Sequence, residues 1–515
     1  MGPNARRLLA QLAPLLAATL PFASGVGGAF VLDDRPAILT NGAVNGELPV
    51  SALLTRTFWG TPLDVPPPVW RPAASLFFRI ELAALGAAPL GFHLVSLALY
   101  VAVVHLAHRL FLTWLSRGAA CAAACLFAAM PLHVENVSSV VGQADLLGFG
   151  FGLAALLAIQ PLFVGEHVHW RRSAIGGVFY VVALLCKESA VTIPLVAAAF
   201  TAFVAPRGES EEARVRRYAP LIALAAMGGV YVGARMLLVP DTLDTSRVLD
   251  DVLANATAWQ RAVFSARVTA DYSRLVVFPM DLCVGRKYAE VSLPHGLDVA
   301  ALAGFAIVAV AIWRTVEDFR ARRAPFVLAA ALMWLMFSSL VFSPPEAMAD
   351  RFMLYPSFFV IGGAVRAASR VRIDPRLVGV VAVSAVLVEA ALTGAYAHAW
   401  RSDEALLSAA VAACPSSVHD HYRLARVLSA NGDATSAVWH YAVAAQGRNA
   451  FPEAWRHPAA DEEQTLAPDE RVRRMHALLK VTAPEAAWRA WLAQTLRAQQ
   501  MAREADIVES VRPAP

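Results

Sequence analysis

An all-α polytopic membrane protein is the fold this sequence predicts: a bundle of about eleven transmembrane helices followed by a polar helical tail. Three observations point to it. Of 515 residues, 57% are hydrophobic and only 16% charged, where a soluble domain carries about a quarter charged residues. The mean hydropathy is +0.51. The apolar residues come in runs near the length that crosses a bilayer as a helix, about 20 residues. The net charge of +4 is modest and scattered over short loops, so nucleic acid is excluded as a partner. The five cysteines, Cys121, Cys125, Cys186, Cys283 and Cys414, have no zinc-finger spacing, and Cys121 and Cys125 read as small packing residues on one helix face.

The runs fall at roughly 8–30, 91–115, 118–132, 145–163, 173–187, 189–205, 218–239, 296–313, 325–343, 352–368 and 376–398. The first follows Arg6 and Arg7, and Ala23-Ser24-Gly25 near its end leaves a cleaved signal peptide as the competing reading. Its length favours an uncleaved span. Placing the N-terminus in the cytoplasm makes every inside loop basic: Arg117; Arg171 and Arg172; Arg207, Arg214, Arg216 and Arg217; Arg314, Arg320, Arg322 and Arg323; Arg366, Arg370, Arg372 and Arg376. The outside loops at 133–144 and 344–350 contain no Lys or Arg, as the positive-inside rule requires. The segment 262–282, interrupted by Arg267, Asp271 and Arg274, would invert the later loops if it crossed. It is therefore read as an amphipathic helix at the outer interface, within an outer loop at 240–295. Arg-rich, Ala-rich composition points to a bacterial source, and so to the inner membrane.

The domain expectation is 1–399 in the membrane and 400–515 as a helical domain on the non-cytoplasmic side. The tail carries the small-residue spacing of a tetratricopeptide repeat, with His421 to Ala425 opening one helix, Asn431-Gly432-Asp433 breaking it, and Ala437, Tyr441 and Ala444 on the next. Residues 464–506 are read as two further helices. The first outer loop, 31–90, is long and contains Pro66-Pro67-Pro68, Trp59 and Trp70, rings that suit a membrane interface.

With this topology several polar groups share the outer face: Asp33 and Asp34, His133 and Glu135, Gln143 and Asp145, Lys187 and Glu188, and Glu346, Asp350 and Arg351. Each has a plain alternative. The Asp pair could end a helix in water, His133 and Glu135 could solvate a loop, Lys187 and Glu188 could pair, and Arg351 could snorkel to headgroups. As a set they are costly at the ends of apolar helices unless paired or functional. A carboxylate can act as general base toward a hydroxyl, while Arg and Lys can stabilise a departing phosphate. That combination suits transfer of a group from a lipid-linked phosphate to a hydroxyl. A divalent metal on Asp34, His133 and Glu135 is an alternative use of the same oxygens and nitrogens.

The motifs carry a resemblance. Asp33-Asp34-Arg35-Pro36-Ala37-Ile38 resembles Asp-Asp-x-x-Ala-Ile, and Trp70-Arg71-Pro72 resembles Tyr-Arg-Pro. Gly91-Phe92-His93-Leu94-Val95-Ser96 resembles Gly-Phe-His-x-x-Asn. Met130-Pro131-Leu132-His133-Val134-Glu135-Asn136-Val137 with Gly142-Gln143-Ala144-Asp145-Leu146-Leu147 resembles His-Pro-x-His-x-Glu-x-Val with Gly-Arg-Ala-Glu-Leu-Leu. Cys186-Lys187-Glu188-Ser189 resembles a Ser-Lys-Glu motif, and Ala349-Asp350-Arg351-Phe352-Met353-Leu354-Tyr355-Pro356-Ser357 resembles Ala-Glu-Arg-x-x-Tyr-x-Pro-Ser. In this order they resemble the GT-C glycosyltransferases, and most the transmembrane and tetratricopeptide-repeat O-mannosyltransferases. The resemblance implies a polyprenyl-phosphate-linked sugar as donor and a protein hydroxyl as acceptor. It implies that Asp33 or Asp34 is the catalytic base, and that Arg351, Lys187, Glu188, His133, Glu135, Gln143, Asp145, Asp350, Tyr355 and Arg71 bind donor phosphate and sugar. This sequence departs from the pattern at Met130, Gln143, Asp145 and Asp350, and its tail is short.

The expected function is thus a membrane-integral transferase that moves mannose or another hexose, with inversion, to a Ser or Thr hydroxyl. Adjacent side chains point apart, so one aspartate should face the acceptor and the other brace the loop, with Asp33 preferred as base. Two other classes stay open: a lipid-carrier flippase or transporter, which would need internal repeats and ionisable groups near the midplane, and a non-catalytic envelope assembly protein acting through its repeat tail.

Overall fold

Nearly every apolar run becomes a helix, because a chain surrounded by lipid must satisfy its backbone polar groups within its own segment. The computed structural model describes residues 3–65, 69–206, 208–239, 253, 256–285, 296–340, 346–372 and 374–433, with isolated positions 436, 437, 440, 497 and 506. Its main helices are α1 Pro3–Thr19, α2 Pro72–Leu85, α3 Pro89–Phe111, α4 Arg117–Ala129, α5 Gln143–Ala158, α6 Trp170–Cys186, α7 Ile193–Val204, α8 Glu211–Leu238, α9 Ala258–Val277, α10 Val299–Arg320, α11 Phe326–Trp334, α12 Leu354–Ala368, α13 Pro375–Ala399, α14 Asp403–Ala413 and α15 Val418–Ala430. Among the described residues there is no strand, only one isolated bridge between Arg56 and Pro62.

Length and composition qualify five helical segments to cross a membrane: Pro89–Phe111, Val140–Ala158, Glu211–Leu238, Val299–Arg320 and Arg376–Ala399. A sixth is added if Arg117–Ala129 and Pro131–Ser138, bent by 56° at Pro131, form one span. The other expected spans appear as shorter helices. Helix α9, expected at the interface, is not among the five. It buries Val263, Phe264, Val268, Tyr272 and Leu275 while Trp259 is exposed.

Sequence sets the helix ends. Ser116, Ser210 and Asp298 each accept a hydrogen bond from a first-turn amide of α4, α8 and α10. Thr257 and Gln260 close a reciprocal capping box on α9, satisfying donors that a helix start leaves open. Pro72 and Pro89 begin α2 and α3, where a missing N–H is no loss.

The chain divides into two compact units, one of residues 1–285 and 293–402, the other of 286–292 and 403–515. In the first, a core shared by the loop after α1 and helices α2 and α3 gathers Phe30, Ile38, Val44, Phe58, Phe78, Phe92 and Val140. It packs the loop after α1 under α2 and α3. Each large ring buried there contributes roughly 1.5–3 kcal/mol where water is the alternative, so this loop is built as a fixed platform. In the second unit, α14 and α15 bury Leu406, Leu407, Ala410, Leu424, Ala425 and Leu428, and Asn431 donates to Glu404 at 2.7 Å. Helix α15 covers His421 to Ala425, where the first helix of the repeat is expected, and ends before Asn431-Gly432-Asp433. The helices expected at 464–506, and Tyr441 and Ala444, lie outside the described residues.

Candidate active site

The two aspartates after α1 occupy opposite environments. Asp34 is fully buried. Its Oδ2 accepts from the Val31 amide at 3.0 Å, and its Oδ1 accepts from the Val141 amide at 2.9 Å and the Ser139 hydroxyl at 3.2 Å. Asp33, next in the turn, is exposed. Leu32 before it holds φ at +43°, a left-handed conformation that a branched side chain adopts only when its surroundings impose it. The strained turn is what sends one carboxylate inward and the other outward.

Asp34 titrates unusually. Burial pushes it up from 3.8 to about 7, against the pull of its amide and hydroxyl donors. The folded state therefore binds this proton more readily than the unfolded chain. Its stabilising effect is complete below pH 3.8 and is lost as the pH rises through about 7. Thermal unfolding of the detergent-purified protein should move to lower temperature across that window, and Asp34→Asn should remove the step. A step of equal size in the variant would assign it to another group.

The segment 135–141 ties this turn to the first cation. At one end Ser139 and Val141 hold Asp34. At the other Glu135 receives Arg351 twice, from the side chain and, at 3.0 Å, from the backbone amide. Arg351 Nη2 also meets Glu346 at 2.6 Å. Nearby, Lys187 pairs with Asp145 at 2.9 Å with both side chains under a tenth exposed, and Arg71 grips Glu188 through two bonds of 2.9 and 2.7 Å while its guanidinium lies over Phe58. Arg71, Asp145 and Arg351 are close enough to feel one another's charge. The structure thus gathers Arg71, Glu135, Asp145, Lys187, Glu188, Glu346 and Arg351 into one network of carboxylates and cations. A buried ionic group of this kind must be paired to persist, and every cation here is.

Other expected site residues are placed differently. His133 is fully buried, with Nδ1 2.9 Å from the Tyr100 hydroxyl and Nε2 2.9 Å from Ser357 Oγ; it joins α3 to α12. Gln143 is also fully buried and donates to Glu81 at 3.2 Å, the Phe92 carbonyl at 3.1 Å and Ser96 at 3.0 Å, locking α5 to α2 and α3. Burial pushes Glu81 up to about 8, against the pull of the Gln143 donor. The Arg of the resembled motif would put a cation there, where Gln143 is uncharged. Asp350 accepts from the Tyr396 hydroxyl at 3.2 Å, which anchors the Arg351 loop to α13. Tyr355 packs on Phe149 with ring centroids 4.6 Å apart. Its hydroxyl lies over Gly148, where a Cβ would come within 2.7 Å of that oxygen and 2.6 Å of Lys187 Cβ.

The three atoms suggested for a metal do not converge. His133 is engaged at both nitrogens, Asp34 with amides and Glu135 with Arg351. Among the described residues no group of three His, Cys, Asp or Glu side chains is placed to hold an ion, so these residues do not fit a resident metal.

Sequence reasoning missed Glu81, Gly148, Tyr272 and Tyr396. Tyr272 both donates to the Ala349 carbonyl and accepts from the Ala349 amide at 2.8 Å, fixing the residue two before Arg351. Glu81 had a signal, the one carboxylate in a mostly apolar stretch that also holds Arg79. Gly148 and the tyrosines had none, since their roles depend on partners distant in sequence.

Comparison with known proteins follows the motifs. No protein-family model matches the chain. The protein O-mannosyl-transferase Tmtc2 of Drosophila melanogaster is 34% identical over 270 residues, covering 49% of this chain and 28% of the relative. Protein O-mannosyl-transferase TMTC4 of Homo sapiens is 26% identical over 475 residues, covering 82% of this chain and 64% of the relative. The chain thus spans between about a quarter and under two thirds of the length of these relatives. By sequence it is related to protein O-mannosyl-transferases, as the motif resemblance implied. The crystal structure of ArnT from Cupriavidus metallidurans bound to undecaprenyl phosphate aligns over 91% of this chain and 82% of that one, with a TM-score of 0.39 and 15% identity, too loosely to carry residue positions across.

Proposed function

We propose that the chain is a GT-C-type membrane glycosyltransferase that moves mannose or another hexose from a polyprenyl-phosphate donor to a Ser or Thr hydroxyl of a protein, on the non-cytoplasmic face and with inversion. The observation that carries this reading is the division of labour after α1. One carboxylate, Asp34, is fixed by backbone amides. Its neighbour Asp33 is left exposed, on a turn that the segment 135–141 ties to Arg351. Relationship to protein O-mannosyl-transferases supports the same reaction.

In the mechanism Asp33 takes the proton of the acceptor hydroxyl as its oxygen attacks the anomeric carbon from the face opposite the phosphate. The bond from that carbon to the phosphate oxygen breaks, and the electron pair leaves with the lipid phosphate. Arg351 meets the phosphate charge, and Arg71 and Lys187 add positive potential from behind their paired carboxylates. Such preorganised charge acts on the transition state without reorganising. The helical domain beginning at α14 offers the acceptor a surface, and its tetratricopeptide character is part of this proposal.

The deciding experiment incubates membranes containing the chain with radiolabelled polyprenyl-phosphate mannose and a Ser/Thr-rich acceptor. Mannose should appear on the acceptor through an O-linkage released by β-elimination. Lipid-linked label crossing the bilayer of proteoliposomes with no sugar transferred would instead assign the chain to the flippase class.

A further inference from the structure

The network around Arg351 contains its own obstacle to the donor. Its guanidinium is already met by two carboxylates, Glu135 and Glu346, before any phosphate arrives. Lys187 and Arg71 are each matched by an acid as well. A third anion at Arg351 competes for the guanidinium with the two already there.

The two carboxylates are not equivalent. Glu135 is held on the short helix Val134–Ser138 and takes both the side chain and the backbone N–H of Arg351. It therefore orients the residue itself. Glu346 meets the Nη2 end of the guanidinium, from the coil that leads into Asp350. Its carboxylate also lies where a Cβ on Gly285 would come within 2.8–2.9 Å, so a glycine there leaves the group its place. The Arg351 side chain is 25% exposed, against 6% for Lys187, which makes Arg351 the cation an incoming ligand reaches.

Resting on the reading above, we propose that Glu346 stands in for the donor's phosphate at Arg351, and that donor binding exchanges this carboxylate for the phosphate. The exchange is neutral: a sugar-linked polyprenyl phosphate is a diester with one negative charge, the same as the carboxylate it displaces. In the absence of donor Glu346 keeps the guanidinium neutralised and oriented, and it sets donor affinity by competing for it. Glu135 stays in place throughout.

The test measures binding of mannosyl farnesyl phosphate, a short phosphodiester with one negative charge, to the full-length protein in detergent, in EDTA and in parallel with Mg²⁺ or Mn²⁺. The apparent affinity of a site that must first open is reduced by the fraction open. Glu346→Gln is therefore expected to tighten binding by about tenfold if the carboxylate is displaced roughly a tenth of the time. Glu346→Ala should tighten it similarly, and Glu135→Gln should weaken it. Unchanged or weaker binding by both Glu346 variants, with normal melting temperatures, would overturn the proposal. So would binding that requires added Mg²⁺ or Mn²⁺ and is lost in Glu346→Gln, because the carboxylate would then be a metal ligand. If the wild-type protein and all variants leave mannosyl farnesyl phosphate unbound, the polyprenyl-phosphate reading itself fails.

Discussion

Asp33→Asn is expected to reduce sugar transfer by roughly 10²–10⁴-fold, the range that a positioned general base contributes, while leaving folding untouched. The reason is exposure. Asp33 faces outward, so its conversion to an amide removes a proton acceptor and breaks nothing that holds the loop. Asp34→Asn is the informative contrast. Asp34 accepts from two backbone amides and a hydroxyl, and the amide nitrogen of Asn would turn a donor toward a donor. A buried donor left without its acceptor costs about 1–3 kcal/mol, so this variant should lower the melting temperature and lose activity as a consequence. Transfer by labelled donor and thermal unfolding, measured on the same membranes and purified protein, separate the two. Full transfer by Asp33→Asn would remove this residue from the mechanism, and equal melting of Asp34→Asn and wild type would remove Asp34 as the brace.

The sequence made the helices legible and left their partnerships obscure. The run at 376–398 became α13, Pro375–Ala399, because an apolar segment between an Asp cap and a polar end has one way to satisfy its backbone. The run at 325–343 gave only α11, which ends at Trp334. Serines follow it, and Ser339 takes a positive φ of 59°, so local conformation ended a helix that hydropathy alone extends. For the site, adjacency was enough to expect that one aspartate would brace the loop, as Asp34 does. Asp33 is preferred there as the base, and the distant partners that hold Asp34, the Ser139 hydroxyl and the Val141 amide, lie more than a hundred residues away. The pairing of Glu135 with Arg351 spans 216 residues, and the turn of Gln143 toward Glu81 depends on how α2 lies beside α5. Periodicity carries no record of either.

The largest effect on stability is expected at Lys187 and Asp145. These side chains meet at 2.9 Å with 6% and 7% exposure, and Lys187 closes the end of α6 where Gly148 of α5 makes room for it. Lys187→Met should destabilise the protein by about 3–5 kcal/mol, because it leaves the buried Asp145 carboxyl without its ion-pair partner. Asp145→Asn should do the same to Lys187. The double variant removes both charges, and an apolar or neutral replacement of a buried ion pair is often harmless. It should therefore melt near the wild-type temperature, a coupling that a double-mutant cycle in detergent reads directly. Its activity separates structure from chemistry. If the pair only joins α5 to the end of α6, the double variant regains transfer along with stability. If the Lys187 ammonium contributes potential at the departing phosphate, stability returns and kcat does not, while KM for the donor changes little because Arg351 is the cation the phosphate reaches. The second pattern is the one expected from a cation whose charge is felt at Arg71, on the same network as Arg351, and whose side chain is closed to solvent. A double variant as unstable as the single ones would mean that the pair is held by its surroundings rather than by its partner, and the electrostatic account of this network would be wrong at its most buried point.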